Sequence, residues 1–328
     1  MEIKQIKIVG ENMILSVSRR TDIPSFYSEW FINRVQQGYV YVPNPFNRKQ
    51  VSKIVINPEV IDCIVFWSKD PKPMLEKLDK IKDYEYYFQF TLNAYDEDVE
   101  VNTRKKREII NTFRELSSKI GSKKVIWRYD PILLNDYYNK NYHYYWFERL
   151  CRELQGYTTK CIISFLDLYG KTEMNTSGLK LLEITNEDMY EISERLVAIG
   201  KDYNISIEAC SESVDLLAVG VKKSKCIDEE LIQEIIGRKI NFVKDDTQRI
   251  DCDCIKSIDI GQYNTCMHNC LYCYANFNVR NVKENNLCHD VKSPMLIGNL
   301  KGDEKVTERE MKSLKISKEV AEQQKIIF

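Results

Sequence analysis

The chain has little charge imbalance to offer a partner: its 328 residues carry 48 basic and 49 acidic side chains. A net charge of −1 gives no global pull toward nucleic acid or an anionic membrane surface. No apolar run approaches the roughly 20 residues that cross a bilayer. The opening stretch Met1-Glu2-Ile3-Lys4-Gln5-Ile6 lacks the architecture of a secretory signal. Internal repeats, low-complexity tracts and Pro/Gly linkers are absent, and histidine is scarce at three residues. These absences predict a soluble cytoplasmic protein with no membrane partner.

What remains is a chain that is 43% hydrophobic, long enough for one large α/β domain or a domain with an appendage. From about residue 13 to 210, short apolar runs alternate with longer amphipathic ones. The predicted strands are Met13–Ser18, Tyr39–Val42, Cys63–Trp67, Tyr86–Leu92, Lys124–Tyr129, Lys160–Phe165 and Ile205–Ala209. Several are near-continuous apolar runs, as in strands buried on both faces. Between them lie helical patterns at Ser25–Gln37, Pro73–Ile81, Thr103–Ile120, Tyr144–Leu154 and Asn186–Ile199. This alternation predicts a parallel sheet with crossover helices. A full or partial (β/α)8-type barrel is the favoured form, and a doubly wound open sheet the runner-up. From Val214 to Gln248 the chain reads as helical and charged, with one amphipathic helix at Asp228–Arg238. The expected division is a barrel-like domain over 1–248 and a metal-organised segment with a Lys/Glu-rich tail over 249–328, closing over the barrel mouth.

The strand ends are polar. The first runs into Ser18-Arg19-Arg20-Thr21-Asp22, and the third ends Trp67-Ser68-Lys69-Asp70. The fourth carries Gln89, Thr91 and Asn93; the fifth carries Arg128 and ends at Asp130-Pro131. Ser164 and Asp167 follow on the sixth, and Glu208 on the seventh. In barrels and open α/β sheets, ligands lie at the carboxyl ends of the strands. Any one of these residues can instead be a helix cap or a surface turn. Their recurrence on six strands points to a lined cavity. Arg19, Arg20, Asp22, Lys69, Arg128 and Asp130 are its candidate catalytic residues, with a structural ion pair as the competing reading of the last two. Arginines there suit a carboxylate or phosphate.

The cysteines are unevenly spread. Of eleven, Cys63, Cys151, Cys161, Cys210 and Cys226 are scattered and read as core residues. Cys252, Cys254, Cys266, Cys270, Cys273 and Cys288 crowd into one stretch with His268 and His289. A reducing compartment disfavours disulfides, so such a cluster reads as metal-binding. Cys266, Cys270 and Cys273 stand as Cys-x3-Cys-x2-Cys, with Tyr272 placed to shield a cluster or pack on a bound ligand. One tight loop can present three thiolates to three irons of a [4Fe–4S] cluster, while Asn264, Asn269 and Gly261 supply turn-tolerant backbone. Zinc is the competing metal, drawn from Cys270/Cys273 with Cys252/Cys254. Cys252 and Cys254, at i and i+2, point to one side if extended. Either caps the fourth iron and closes the cluster, or the two help hold a second metal, or they are spare. Cys288 and His289 are weaker candidates for the cap. A closed cluster is structural, redox-sensing or electron-carrying; an open iron takes a small molecule.

The cysteine spacing, with an aromatic before the last thiol, resembles the cluster motif of the radical S-adenosylmethionine (SAM) superfamily. That resemblance implies SAM on the open iron, a 5′-deoxyadenosyl radical, and a flavodoxin- or ferredoxin-like electron donor. Gln89, Glu208 and Tyr272 are then candidate cofactor contacts. Two departures stand out. The motif follows the barrel instead of its first strand, and no Gly-Gly-Glu segment is found. Tyr272-Cys273-Tyr274-Ala275-Asn276 also resembles the motif of DNA-repair lyases in that superfamily, so a nucleic-acid substrate is a further option beside a small molecule. Nearly the whole chain resembles the bacterial family called domain of unknown function 1848, through Ser16–Pro24, Asn44–Asn47, Ile64–Pro71, Tyr87–Leu92, Trp127–Ile132 and Asp259–Gly261 leading to Cys266.

Overall fold

Alternate residues of the strands bury into two different apolar layers, which is why so many runs are apolar throughout. The computed structural model describes residues 13–168, 170–210, 212–249, 251–309 and 313. The Met1–Ile6 stretch and most of the Lys/Glu-rich tail fall outside them. Strands are β1 (Ile14–Val17), β2 (Tyr39–Pro43), β3 (Gln50–Val55), β4 (Cys63–Ser68), β5 (Tyr86–Thr91) and β6 (Val125–Ile132). Then come β7 (Lys160–Phe165), β8 (Ser206–Ala209), β9 (Lys222–Lys223), β10 (Ile258–Asp259) and β11 (Lys305–Glu308). Helices are α1 (Ile23–Phe26), α2 (Ser28–Gln37), α3 (Lys72–Leu75), α4 (Lys106–Ile120) and α5 (Lys140–Leu154). They continue as α6 (Gly170–Thr176), α7 (Asn186–Asp202), α8 (Glu229–Ile236) and α9 (Val279–Leu287).

Eight strands form one sheet in the order β10-β1-β4-β5-β6-β7-β8-β9, and every pairing in it is parallel. The predicted parallel α/β sheet is therefore present. Among the described residues no pairing joins β10 to β9, so a closed barrel is not formed by hydrogen bonds. The stretch Tyr39–Val42 does not join this sheet. It pairs antiparallel with β3, which the sequence reading missed, and β11 adds parallel to β3's other edge. The charged stretch before residue 248 is helical only at α8 and a short 3-10 turn, and the segment after it carries α9 and two strands. No helix among the described residues is long and apolar enough to cross a membrane.

The two sheet faces differ in what covers them. Leu15, Val17, Phe66, Phe88, Phe90, Trp127 and Ile163 pack under the crossover helices with Phe31, Phe113, Phe147 and Leu196. The intervening residues Ile14, Cys63, Val65, Tyr87, Ile126 and Ile162 face the other way. They pack against Cys226, Ile227, Ile232, Cys254 and Ile255 of the segment around α8. Each fully buried side chain of this kind contributes about 1.5–3 kcal/mol. The C-terminal segment is tied in as well: the buried Trp30 indole of α2 donates to the Ser293 carbonyl at 2.9 Å.

His143 of α5 makes one testable contribution to stability. Its Nε2 donates to the Leu133 carbonyl at 2.9 Å, so Nδ1 accepts from the Tyr129 hydroxyl at 2.7 Å. Burial pulls this imidazole down to about 4. The unfolded chain takes up the proton near 6.5 and the folded chain does not, so stability falls as pH drops between those values. Urea unfolding should show a wild-type loss on the order of 3 kcal/mol across that window that His143→Gln lacks. Parallel pH profiles of the two proteins would contradict the assignment.

Candidate metal centre

The face opposite the crossover helices turns polar at its carboxyl edge. Ser16, Trp67, Gln89, Arg128 and Ser164 continue the register of Ile14, Val65, Tyr87, Ile126 and Ile162. Beyond them lies a cavity of about 520 Å³, within the ~300–1,000 Å³ usual for small-molecule sites. Its walls include Arg19, Asp22, Lys69, Arg128 and Asp130 from the strand ends, and Cys266, Cys270, Tyr272 and Cys273 from the C-terminal loop.

The loop's path is set by local rules. Asn264 and Asn269 adopt φ of 59° and 54°, a left-handed conformation that asparagine tolerates better than most residues. The Asn264 amide donates to the Ala275 carbonyl at 2.9 Å, and Asn276 Nδ2 donates to the Cys266 carbonyl at 2.7 Å, so the loop closes on itself. Tyr27 donates to the Thr265 carbonyl at 2.6 Å. The Leu271 amide donates to Val99 and the Asn102 amide to His268, both at 3.0 Å. Asp259 pins the entry to the loop. It accepts from Ser16 Oγ at 2.9 Å, Ser18 Oγ at 2.7 Å, the Arg19 amide at 2.8 Å and the Gly261 amide at 2.9 Å. Gly261 is required for a different reason than a turn conformation. A Cβ there would stand 1.9 Å from Ser18 Oγ.

The charged residues at the mouth are paired. Lys69 Nζ lies 2.5 Å from Glu100, which also takes Lys106 at 2.5 Å and the Tyr272 hydroxyl at 2.5 Å. Burial alone would push the Glu100 carboxyl up, but Lys69 and Lys106 hold it far below the usual carboxylate range. Asn93 donates to the Tyr272 hydroxyl at 3.0 Å, which fixes that ring beside Cys270 and Cys273. Asp22 caps α1 and accepts from the Lys69 amide at 2.8 Å and from His268 Nε2 at 2.9 Å. Burial opposes its charge, yet the His268 hydrogen bond wins and lowers the carboxyl's pKa. Arg128 is bound to Asp130 at 2.5 Å, so that ion pair is real; it also donates to Cys226 Sγ at 3.0 Å.

Other candidates lie elsewhere. Arg20 stands over Tyr263, 5.3 Å from the ring centroid, on neighbouring grooves outside the cavity. Glu208 is engaged by Lys160 at 3.0 Å and is not on the cavity wall. Gln89 is buried and donates to the Cys226 carbonyl at 2.9 Å. Cys288 is exposed, and His289 holds the Leu296 carbonyl at 2.7 Å.

Sequence reasoning missed several cavity residues. Cys210 and Cys226, taken as core cysteines, line the cavity with their sulfurs 2.9 Å apart. Hydrogen bonds from Cys210 and Cys254 hold the Cys226 thiol below its usual range. Cys210 directly follows β8 in register with Glu208, a signal that was present but unread. His268 sits between two of the loop thiols and lines the same wall. Glu212 accepts from the Phe165 amide at 2.8 Å, and burial pushes its carboxyl up to about 7. A group there can exchange a proton near neutrality.

Burial raises the pKa of Cys266 and Cys273, and takes that of Cys270 to about 12. Among the described residues no group of three His, Cys, Asp or Glu side chains is already arranged as a metal site. The three loop thiols share one wall of the cavity, where burial disfavours the thiolate form.

The model of one protein family, described as a domain of unknown function, DUF1848, matches residues 14–275. No curated protein matches the chain.

Proposed function

The chain belongs to the DUF1848 family, and from its cavity we propose an iron–sulfur enzyme of the radical SAM type. Cys266, Cys270 and Cys273 would hold a [4Fe–4S] cluster at the mouth of a partial barrel, with SAM and a small-molecule substrate in the adjoining cavity. The observation that carries this reading is that the three loop thiols and the polar strand ends line one cavity. When bound, such a cluster supplies the electron that cleaves a carbon–sulfur bond of SAM.

The chain's own residues divide the remaining work. Lys69 and Arg128 are committed to carboxylates, whereas one Arg19 guanidinium nitrogen is buried with no hydrogen-bond partner. Arg19 also lies 5.4 Å from the Trp67 ring centroid. It is a candidate cation for a carboxylate or phosphate. Glu212 can hold a proton on Oε2 while Oε1 accepts from Phe165. Tyr272 and Tyr274 wall the cavity on the loop side.

The test is product formation. Anaerobically reconstituted protein, given SAM and dithionite, should release 5′-deoxyadenosine and methionine in equal amounts. The Cys266→Ser/Cys270→Ser/Cys273→Ser variant should release none. A full cluster complement with no 5′-deoxyadenosine would remove SAM chemistry from the account.

A further inference from the structure

We infer that Cys210, Cys226, Cys252 and Cys254 form a second sulfur site, distinct from the 266–273 loop, that binds a thiophilic metal centre through four thiolates. The inference stands apart from the SAM reading and survives its failure.

Three separate chain segments deliver these thiols. Cys210 leaves the end of β8, Cys226 precedes α8, and Cys252 and Cys254 lie on the stretch leading to β10. The Cys210 and Cys226 sulfurs are 2.9 Å apart. Cys226, Cys252 and Cys254 pack in one apolar cluster, and all four thiols line the same cavity. The Ile227 amide donates to Cys254 Sγ at 3.4 Å, the kind of backbone contact that supports a thiolate. A disulfide would need sulfurs about 2.05 Å apart. Four thiolates around one zinc at about 2.3 Å sit roughly 3.8 Å from each other. The observed contact falls between; the four thiols are not already grouped around an ion, so side chains must rotate to receive one.

The surroundings are wrong for an ordinary thiol core. Four thiolates on a divalent ion carry a charge of −2, and two guanidinium groups stand beside them. Arg128 Nη1 donates to Cys226 Sγ at 3.0 Å. Arg19 lines the same cavity and interacts electrostatically with Cys254 and Cys226. Cys252 and Cys254 pack with Ile227, Ile232 and Ile255, while Cys270 and Cys273 pack in another cluster with Tyr95 and Val99. The two sets thus pack in different apolar clusters while lining one cavity, and the Cys252/Cys254 pair goes with Cys226.

The experiment uses the full-length Cys266→Ser/Cys270→Ser/Cys273→Ser protein, which removes the loop site. Anaerobic titration with Co²⁺ alone should saturate at one equivalent, with thiolate-to-cobalt charge-transfer bands and intense tetrahedral d–d bands. Adding Cys226→Ser should abolish those bands, and Cys252→Ser should weaken binding at least tenfold with unchanged far-ultraviolet circular dichroism. Bound Zn²⁺ should protect Cys210, Cys226, Cys252 and Cys254 from iodoacetamide in peptide mapping, which tests the site without any second variant. A folded loop variant that binds no Co²⁺ and gains no protection from Zn²⁺ overturns the inference. Loss of iron from the loop bears only on the first centre.

Discussion

Glu100→Gln should lose about 3–5 kcal/mol of unfolding free energy, the usual cost of leaving buried charges without their partner. Glu100 is 2% exposed and compensates Lys69 and Lys106, whose ammonium groups lie 2.5 Å away. The amide isostere fills the same space but carries no charge, so lost packing does not explain the deficit. The Tyr272 hydroxyl loses its charged acceptor in the same change, and the antiparallel bridge from Glu100 to Cys270 places the disturbance against the cysteine loop. Reconstituted iron should therefore be held less tightly as well. A urea midpoint within about 0.5 kcal/mol of wild type, the range of ordinary surface changes, would show that the lysines are compensated by water.

Gly261→Val should have the second large effect, and on metal retention more than on the sheet. Even a bare Cβ would sit 1.9 Å from Ser18 Oγ and 2.6 Å from Ser18 Cβ. Something must move, and Ser18 is anchored to Asp259, which also holds Ser16 and the Arg19 amide. Overpacking of this kind costs about 1–3 kcal/mol. Displacing β10 from β1 then shifts the start of the cysteine loop. We expect iron per chain after reconstitution to fall by more than half while far-ultraviolet circular dichroism stays near wild type. Full iron retention would mean that the entry to the loop does not position the thiols.

Much of the sheet was readable because its strands are short apolar runs bounded by polar ends. Lys160–Phe165 coincides with its prediction, and the other parallel strands shift by a residue or a few at their edges. β3 was missed because Gln50-Val-Ser-Lys-Ile-Val carries polar residues on an exposed face. β9, β10 and β11 are too short, or too polar, to announce themselves; they form because a neighbouring strand edge is there to pair with. The site was legible as a set rather than residue by residue. Arg19, Asp22, Lys69, Arg128 and Asp130 converge because they share a strand face or follow it directly. Glu208 shares that parity but meets Lys160 first, a partner no periodicity reveals. Cys210 and Cys226 were hidden for the opposite reason. A lone cysteine at a strand end looks like any small buried residue until a distant segment brings a second thiol to it.

We propose a cluster on Cys266, Cys270 and Cys273 with one iron open to SAM. Electron paramagnetic resonance of the anaerobically reconstituted, dithionite-reduced protein tests it most directly, recorded with and without SAM. The account predicts a reduced cubane signal that changes on SAM addition and disappears from the Cys266→Ser/Cys270→Ser/Cys273→Ser variant. A cubane signal indifferent to SAM and lost on Cys254→Ala would contradict it, because the cluster would then be closed by a fourth cysteine.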